Sequence, residues 1–519
     1  MDSLNTLKNK ANNIFNKTGK PAVIIILVTL VSKIIGFVRE SVIASNFGAT
    51  ADTDAYVVAV TIYTLVMLIF SEVINNAFMP LYVSSRQKSK KIADKFINTV
   101  FSFVLIISII TTIIGLLFAK QIASVFAPGF SEEALQLAAN LTRVMLPVII
   151  ITGISIVAGG ALQSQECFLP QAAMGIPNHI MVILILIIWG SNIGIKGLTA
   201  IASIGTASQL LVQLPFLKKR GVKCKLKPHF KMPEVNLFLH SLFPIFIATA
   251  ARQVITVVDK ALASSGGQGS ISILNYSNIM YASISGLFIT TLTTIMYPQI
   301  AKNAFDNELL AKSVKKCIQL LVAVILFISI IVWCFKYEII SIMFERGNFT
   351  RNNALDTAEV FMFYSFGLVP AALNDILMKT MYCIKKVKFP MYISIASISV
   401  NVILSILLYN LIGIAGLALA SSITAFFSMI LYIYALKKAY QMFSIDILND
   451  ILKIFFAFIL PGGASYVSIY AVKNLLYCVW EAPGTIVLAA LVAAASAAGL
   501  AVYVLMIFLI GFLKRKLYP

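Results

Sequence analysis

Apolar residues run along this chain in long blocks, not in the alternation of a strand or the narrow stripe of a surface helix, and short polar segments separate them. A hydrocarbon core of about 30 Å needs roughly 20 apolar residues to cross it as a helix. Fourteen blocks meet that length, near 21–45, 54–84, 93–118, 135–161, 170–190, 197–217, 236–263, 271–298, 313–335, 355–381, 389–409, 412–436, 451–472 and 483–512. Composition agrees: 59% of the 519 residues are hydrophobic and 12% are charged, with a mean hydropathy of +0.91. A soluble domain does not have that balance. The pattern predicts an all-α polytopic membrane protein of about fourteen spans.

The net charge of +20 permits two partners, nucleic acid or a membrane surface, and its placement decides between them. With both ends inside, the inner segments hold 29 of the 41 Lys and Arg, at the N-terminal tail, 86–95, 218–231, 302–316, 385–388, 437–453 and 514–516. The outer segments hold six: Lys120, Lys196, Lys336, Arg346, Arg351 and Lys473. That asymmetry orients the spans with cytoplasmic termini and removes the nucleic-acid reading. Trp189, Trp333 and Trp480 fall at outer ends of spans, where interfacial rings sit. The first apolar run is too long for a cleavable signal peptide and is expected to stay. The six cysteines show no CxxC spacing and predict neither a disulfide framework nor a metal site.

The halves of the chain repeat one another. Lys33 to Glu40 in the first span returns as Arg252 to Asp259 in the seventh, 219 residues on, and Ala44-Ser45 returns as Ala263-Ser264. Phe78-Met79-Pro80 answers Ile295-Met296-Tyr297-Pro298, and Val125 to Phe130 answers Met343 to Phe349. Cys167-Phe168-Leu169-Pro170 answers Val387-Lys388-Phe389-Pro390. Six spans thus map onto six. Because six is even, both halves begin on the same side, so the repeat is parallel and not inverted. The expected organisation is a cytoplasmic amphipathic segment over 1–20, an N-lobe over 21–231, a C-lobe over 232–440, and two additional spans over 441–519.

A charge at the bilayer centre costs at least ~2.5 kcal/mol, so such residues usually pair or line a water-filled path. Two matching sets, one in each half, predict a polar cavity between two related bundles, hence a transporter. Lys33 and Glu40, seven apart, lie within about 20° of one another on a helix, as do Arg252 and Asp259. Arg39 lies on the face of Ser32 and Gly36, where small neighbours leave room for a ligand. Asp54 and Glu72 add acids to the first half; Lys260, Asp375 and Lys379 add charges to the second. The competing reading is that these groups form internal ion pairs.

Ser32 to Glu40, followed by Phe47-Gly48-Ala49, Thr53-Asp54-Ala55-Tyr56 and Phe70-Ser71-Glu72 to Ala77-Phe78-Met79-Pro80, resembles the MurJ (MviN) lipid II flippases of the multidrug/oligosaccharidyl-lipid/polysaccharide exporter superfamily. Ala127 to Phe130, the Phe344 to Thr350 loop and the fourteen spans are similar too. The resemblance implies a cationic cavity for the diphosphate and sugar of an undecaprenyl-linked peptidoglycan precursor, a lipid-tail groove built by the last two spans, and flipping to the outer leaflet of the bacterial cytoplasmic membrane. It implies Arg39 as the essential first-span arginine, with Lys33, Glu40, Asp54 and Glu72 at related positions. Two positions depart: Met67 and Ile279, or its neighbour Asn278, stand where family arginines are usual. Arg252 is the expected compensation.

No cofactor is expected. The membrane potential drives an outgoing anion, and Asp259 with Asn401 are the candidate oxygens for a coupling Na+, against an ion pair from Asp259 to Arg252 or Lys260. Expected partners are the lipid-linked substrate, membrane lipids and enzymes of cell-wall synthesis. Other readings are a flippase for another polyprenyl-diphosphate-linked saccharide, a drug/cation antiporter of the superfamily, which favours a carboxylate-dominated cavity, and a membrane enzyme, for which His179, His229 and His240 offer no acid/base set at one face.

Overall fold

The computed structural model describes residues 20–439, 447–479 and 484–517, so most of the expected 1–20 segment and Trp480 lie outside the described residues. Every regular element among them is helical. Among the described residues nine helices are long and apolar enough to cross a membrane, and two bent pairs raise that to eleven. The criterion does not return fourteen; one of the nine, Leu169–Arg220, contains both the fifth and the sixth expected spans, joined through the short turn Gly190–Ile193. The chain is a multi-pass membrane protein. It forms two compact units, one up to Val254 and the other from Ile255, and the division falls inside the helix Pro233–Ala263.

Within the first unit, Lys20–Phe47 packs on Ile176–Trp189, and Ala51–Val73 packs on Glu132–Met145. Thr50 caps Ala51–Val73 through its hydroxyl, and Ser89 does the same for Lys90–Leu117. Ahead of Pro80, which has no N–H to offer, the helix widens into one π turn over Ile74–Phe78 before resuming at Met79. The core there stacks Phe78 on Tyr82 and Phe96, with Phe238 edge-on to Phe96. On the polar side of this core, the Lys225 and His229 amides donate to the side chains of Asn98 and Thr99.

In the second unit, the 38-residue helix Asn307–Phe344 is the spine, packed against Arg351–Ser365, Leu368–Cys383 and Ile447–Val479. Its helical geometry breaks at Phe335 (φ −123°, ψ 25°). There the Lys473 ammonium reaches across from Ile447–Val479, donating to the Cys334 carbonyl at 2.8 Å and pairing with Glu338 at 2.6 Å. Tyr477 also donates to Glu338, at 3.1 Å, and the ammonium lies 5.2 Å from the centre of the Phe335 ring. The last two helices, Ile447–Val479 and Thr485–Leu517, close on small residues: the Ser465 hydroxyl donates to the Gly499 carbonyl at 3.0 Å. A Cβ at Gly499 would stand 2.3 Å from Ile469 Cγ1.

The repeat read from charges recurs in the backbone. Glu132–Met145 and Val148–Gln163 meet at a 45° bend, and Arg351–Ser365 and Leu368–Cys383 at 41°. The second pair begins 219 residues after the first (132 and 351), and its cap, Thr350, stands 219 after Ser131. The two non-glycine residues with positive φ among the described residues, Glu166 (58°) and Lys385 (59°), keep the same spacing, as do Gly48 (66°) and Gly267 (96°). Left-handed backbone is costly for residues with a Cβ, so its return at one offset marks a shared local fold.

Two outcomes follow. Lys473→Met strands the buried Glu338 carboxylate and is expected to cost about 3–5 kcal/mol in unfolding experiments, most of it recovered by Lys473→Met/Glu338→Gln. Gly499→Leu overpacks the last helix pair and lowers Tm, by an amount corresponding to ~1–3 kcal/mol.

Candidate functional site

The site residues of the first unit start on Lys20–Phe47. Lys33 is exposed on that helix. Arg39 turns its guanidinium to the carboxylate of its own neighbour, Glu40, in an ion pair of which about a fifth or less is exposed on either side chain. Consecutive helical residues point about 100° apart, so the pair forms only because the long arginine side chain bends round the helix. Its Nε is buried and has no partner among the described residues. Tyr56, buried on the next helix, is within electrostatic reach of the pair.

Gly36 does not leave the room for a ligand that its size suggests. The imidazole of His179, on Ile176–Trp189, fills that space: a Cβ at Gly36 would stand 3.0 Å from Nε2, and one at Gly175 would stand 3.2 Å from it. Ser32 faces Gly175 across the same notch. His179 Nδ1 is buried and, among the described residues, unpartnered. The sequence reading weighed this histidine only as a catalytic acid/base candidate and set it aside. The available signal was its place in an otherwise apolar helix.

Asp54 is fully buried in the first turn of Ala51–Val73, where the helix end favours a carboxylate. Glu72 is more open, accepting from Asn76 Nδ2 at 2.6 Å and facing Arg252 at 3.4 Å. Arg252 therefore pairs with Glu72, not with Asp259 as one expectation had it. Seven residues on one helix leave the two on one face but two turns apart, about 10 Å, while Glu72 is brought close by another helix. Met67 is packing material: it is buried, and the Thr152 hydroxyl donates to its sulfur at 2.9 Å.

In the second unit, Asp259 and Lys260 are both buried and line a polar chamber of about 210 Å3 together with Tyr281, Tyr364 and Ser422. Asn278, which with Ile279 is one of the two candidates for the place where a family arginine is usual, lines the same chamber. The Ser405 hydroxyl donates to Asp259 Oδ1 at 3.0 Å. Asn401, one turn before Ser405, donates through Nδ2 to Thr424 at 3.3 Å, while its Oδ1 is buried without a partner among the described residues. The structure thus brings the helix of Asn401 to Asp259, with Ser405, absent from the sequence reading, making the contact. Asp375 and Lys379 form a closed set with Thr293, the ammonium 2.8 Å from the carboxylate and 2.7 Å from the hydroxyl. These two charges are an internal ion pair.

Comparison with known proteins adds to this geometry. The family model described as Lipid II flippase MurJ matches residues 43–483. A protein named probable lipid II flippase MurJ from Buchnera aphidicola subsp. Acyrthosiphon pisum (strain APS) is 30% identical over 434 residues, covering 81% of this chain and 84% of its own length. One of the same name from Thermotoga maritima is 28% identical over 419 residues, covering 80% and 85%. Among solved structures, a lipid II flippase MurJ in an inward closed conformation matches 96% of this chain and 100% of its own, with TM-score 0.77 and 23% identity. An inward-facing multidrug resistance MATE family transporter of the MOP superfamily matches 80% and 99%, with TM-score 0.67 and 13% identity. Both share the fold, the first more completely. A family match spanning most of the chain, on a helical membrane fold with charges held inside its spans, places this protein in the lipid II flippase MurJ family, whose members are transporters and not enzymes.

Proposed function

We propose that this chain moves lipid II, the undecaprenyl-diphosphate-linked peptidoglycan precursor, from the inner to the outer leaflet of the bacterial cytoplasmic membrane by alternating access. The observation that carries the reading is the family match over residues 43–483. Arg39 is the contact that the anionic headgroup engages. In the structure its charge rests on Glu40 while one guanidinium nitrogen lacks a partner. A diphosphate offers the oxygens that complete the fork, through charge-assisted bonds stronger than neutral ones. Arg252, half-exposed and resting on Glu72, is the second cation, with Ser32, Lys33 and Asp54 as the surrounding polar set.

The topology that goes with this reading has both termini cytoplasmic, with lobes over 21–231 and 232–440, and gives Ile447–Val479 and Thr485–Leu517 to the lipid tail. Cell-wall synthesis enzymes are the partners it implies. An outgoing anion on an inside-negative membrane moves downhill by about 2.3 kcal/mol per charge per 100 mV. Asp259, Ser405 and Asn401 Oδ1 supply the oxygens for a coupling Na+. A second reading, flipping of another polyprenyl-diphosphate-linked saccharide, is favoured by one observation: an amide, Asn278, lines the chamber of the second unit beside Lys260, at one of the two positions where a family arginine is usual.

Depletion of the resident flippase in a bacterium expressing this chain is expected to leave lipid II arriving at the outer leaflet. A well-expressed chain that fails to restore it shifts the assignment to the other saccharide cargo. Arg39→Ala and Arg252→Ala are each expected to abolish transport at normal expression; normal transport by Arg252→Ala removes it from the site. Asp259→Asn is expected to abolish any dependence of flipping on Na+ in reconstituted vesicles, and Na+ dependence that survives the substitution overturns the coupling role.

A further inference from the structure

The arrangement around Arg39 poses a problem for any anion it receives. Glu40 is its resting partner, and a headgroup that takes the guanidinium leaves a carboxylate beside the arriving negative charge, inside an apolar span. An uncompensated carboxylate there costs several kcal/mol and repels the ligand. One polar group lies on the same helix face as that carboxylate. Gly36 and Glu40 are four residues apart, so they lie one turn apart on one face of the helix, about 5–6 Å between side-chain bases. The imidazole of His179 sits on Gly36, its Nε2 3.0 Å from where a Cβ would be, closer than ordinary van der Waals contact. Both Glu40 and Arg39 act on it electrostatically. Its Nδ1 is buried and without a partner among the described residues, a state that native proteins rarely leave unexplained.

We propose that His179 is the alternate partner of Glu40: when an isoprenyl-diphosphate headgroup draws Arg39 away, the imidazole N–H receives the released carboxylate, so that Arg39 is presented without a competing negative charge. His179 is thus a positioning residue, acting on the headgroup through Glu40 and Arg39. The exchange moves hydrogen bonds only, since a neutral imidazole donates one N–H and no proton changes owner. Gly36 and Gly175 are small because the ring occupies the notch between them. The inference rests on the diphosphate reading given above.

The test uses the purified full chain in nanodiscs, with farnesyl diphosphate as the headgroup probe and calorimetry for Kd. Loss of one hydrogen bond to a charged group predicts about tenfold weaker binding for His179→Phe, which keeps the ring volume without the donor. His179→Gln, which keeps a donor, is expected to bind within about threefold of wild type on the same scale. The deciding measurement is the pairing with Glu40→Gln. With the carboxylate neutralised, His179→Phe is expected to add no further loss. An equal loss in both backgrounds shows that His179 only packs, and overturns the inference; so does wild-type affinity in His179→Phe while Arg39→Ala is weakened. If the Phe variant does not fold, His179→Ala is read by the same pairing. Failure of the diphosphate reading looks different: Arg39→Ala then binds the probe as wild type does, and both proposals fall.

Discussion

A charge in hydrocarbon has to be met by another group, and that requirement organises this protein more than any apolar packing does. Leucine against lipid and leucine against leucine are nearly equivalent, so the apolar spans by themselves say little about which helix lies beside which. The polar groups supply the addresses. Lys473 finds Glu338 and the Cys334 carbonyl at the break in the Asn307–Phe344 helix, fixing Ile447–Val479 against it. Lys379, Asp375 and Thr293 close on one another in the same unit, and Lys88 reaches Glu234 at 3.0 Å in the other. These sets are complete, and they hold helices in place.

The polar groups proposed for transport differ in being incompletely met. Arg39 has Glu40 but leaves Nε open, His179 leaves Nδ1 open, and Asn401 leaves Oδ1 open among the described residues. Glu72 and Arg252 meet at 3.4 Å where both are substantially exposed. A pair of that kind is worth little in place and is readily exchanged. Lys379–Asp375 and Arg39–Glu40 are both ion pairs inside spans, and they differ in what is left over: the first is closed by Thr293, while the second leaves Arg39 Nε without a partner among the described residues.

Duplication was legible at two levels. Charges and Pro/Gly motifs gave the offset near 219, and backbone torsions that no composition reveals repeat it, from Glu166 and Lys385 to Gly48 and Gly267. The repeat has not kept the chemistry equal. Glu40 pairs with the arginine beside it, whereas Asp259, its counterpart, is bonded by Ser405 and lines a chamber with Lys260. The shared local fold thus carries different polar groups in its two halves.

The helical membrane fold, the internal repeat and the family resemblance follow from residue order alone, because each depends on a local property: length of an apolar run or a motif at fixed spacing. Partners across helices do not. That Arg252 meets Glu72 and not Asp259, that His179 fills the notch at Gly36, and that Ser405 reaches Asp259 were decided by packing, since the residues are 180, 143 and 146 positions apart and nothing periodic links them. Periodicity tells which face a side chain takes; only the folded chain tells what waits on the other side of it.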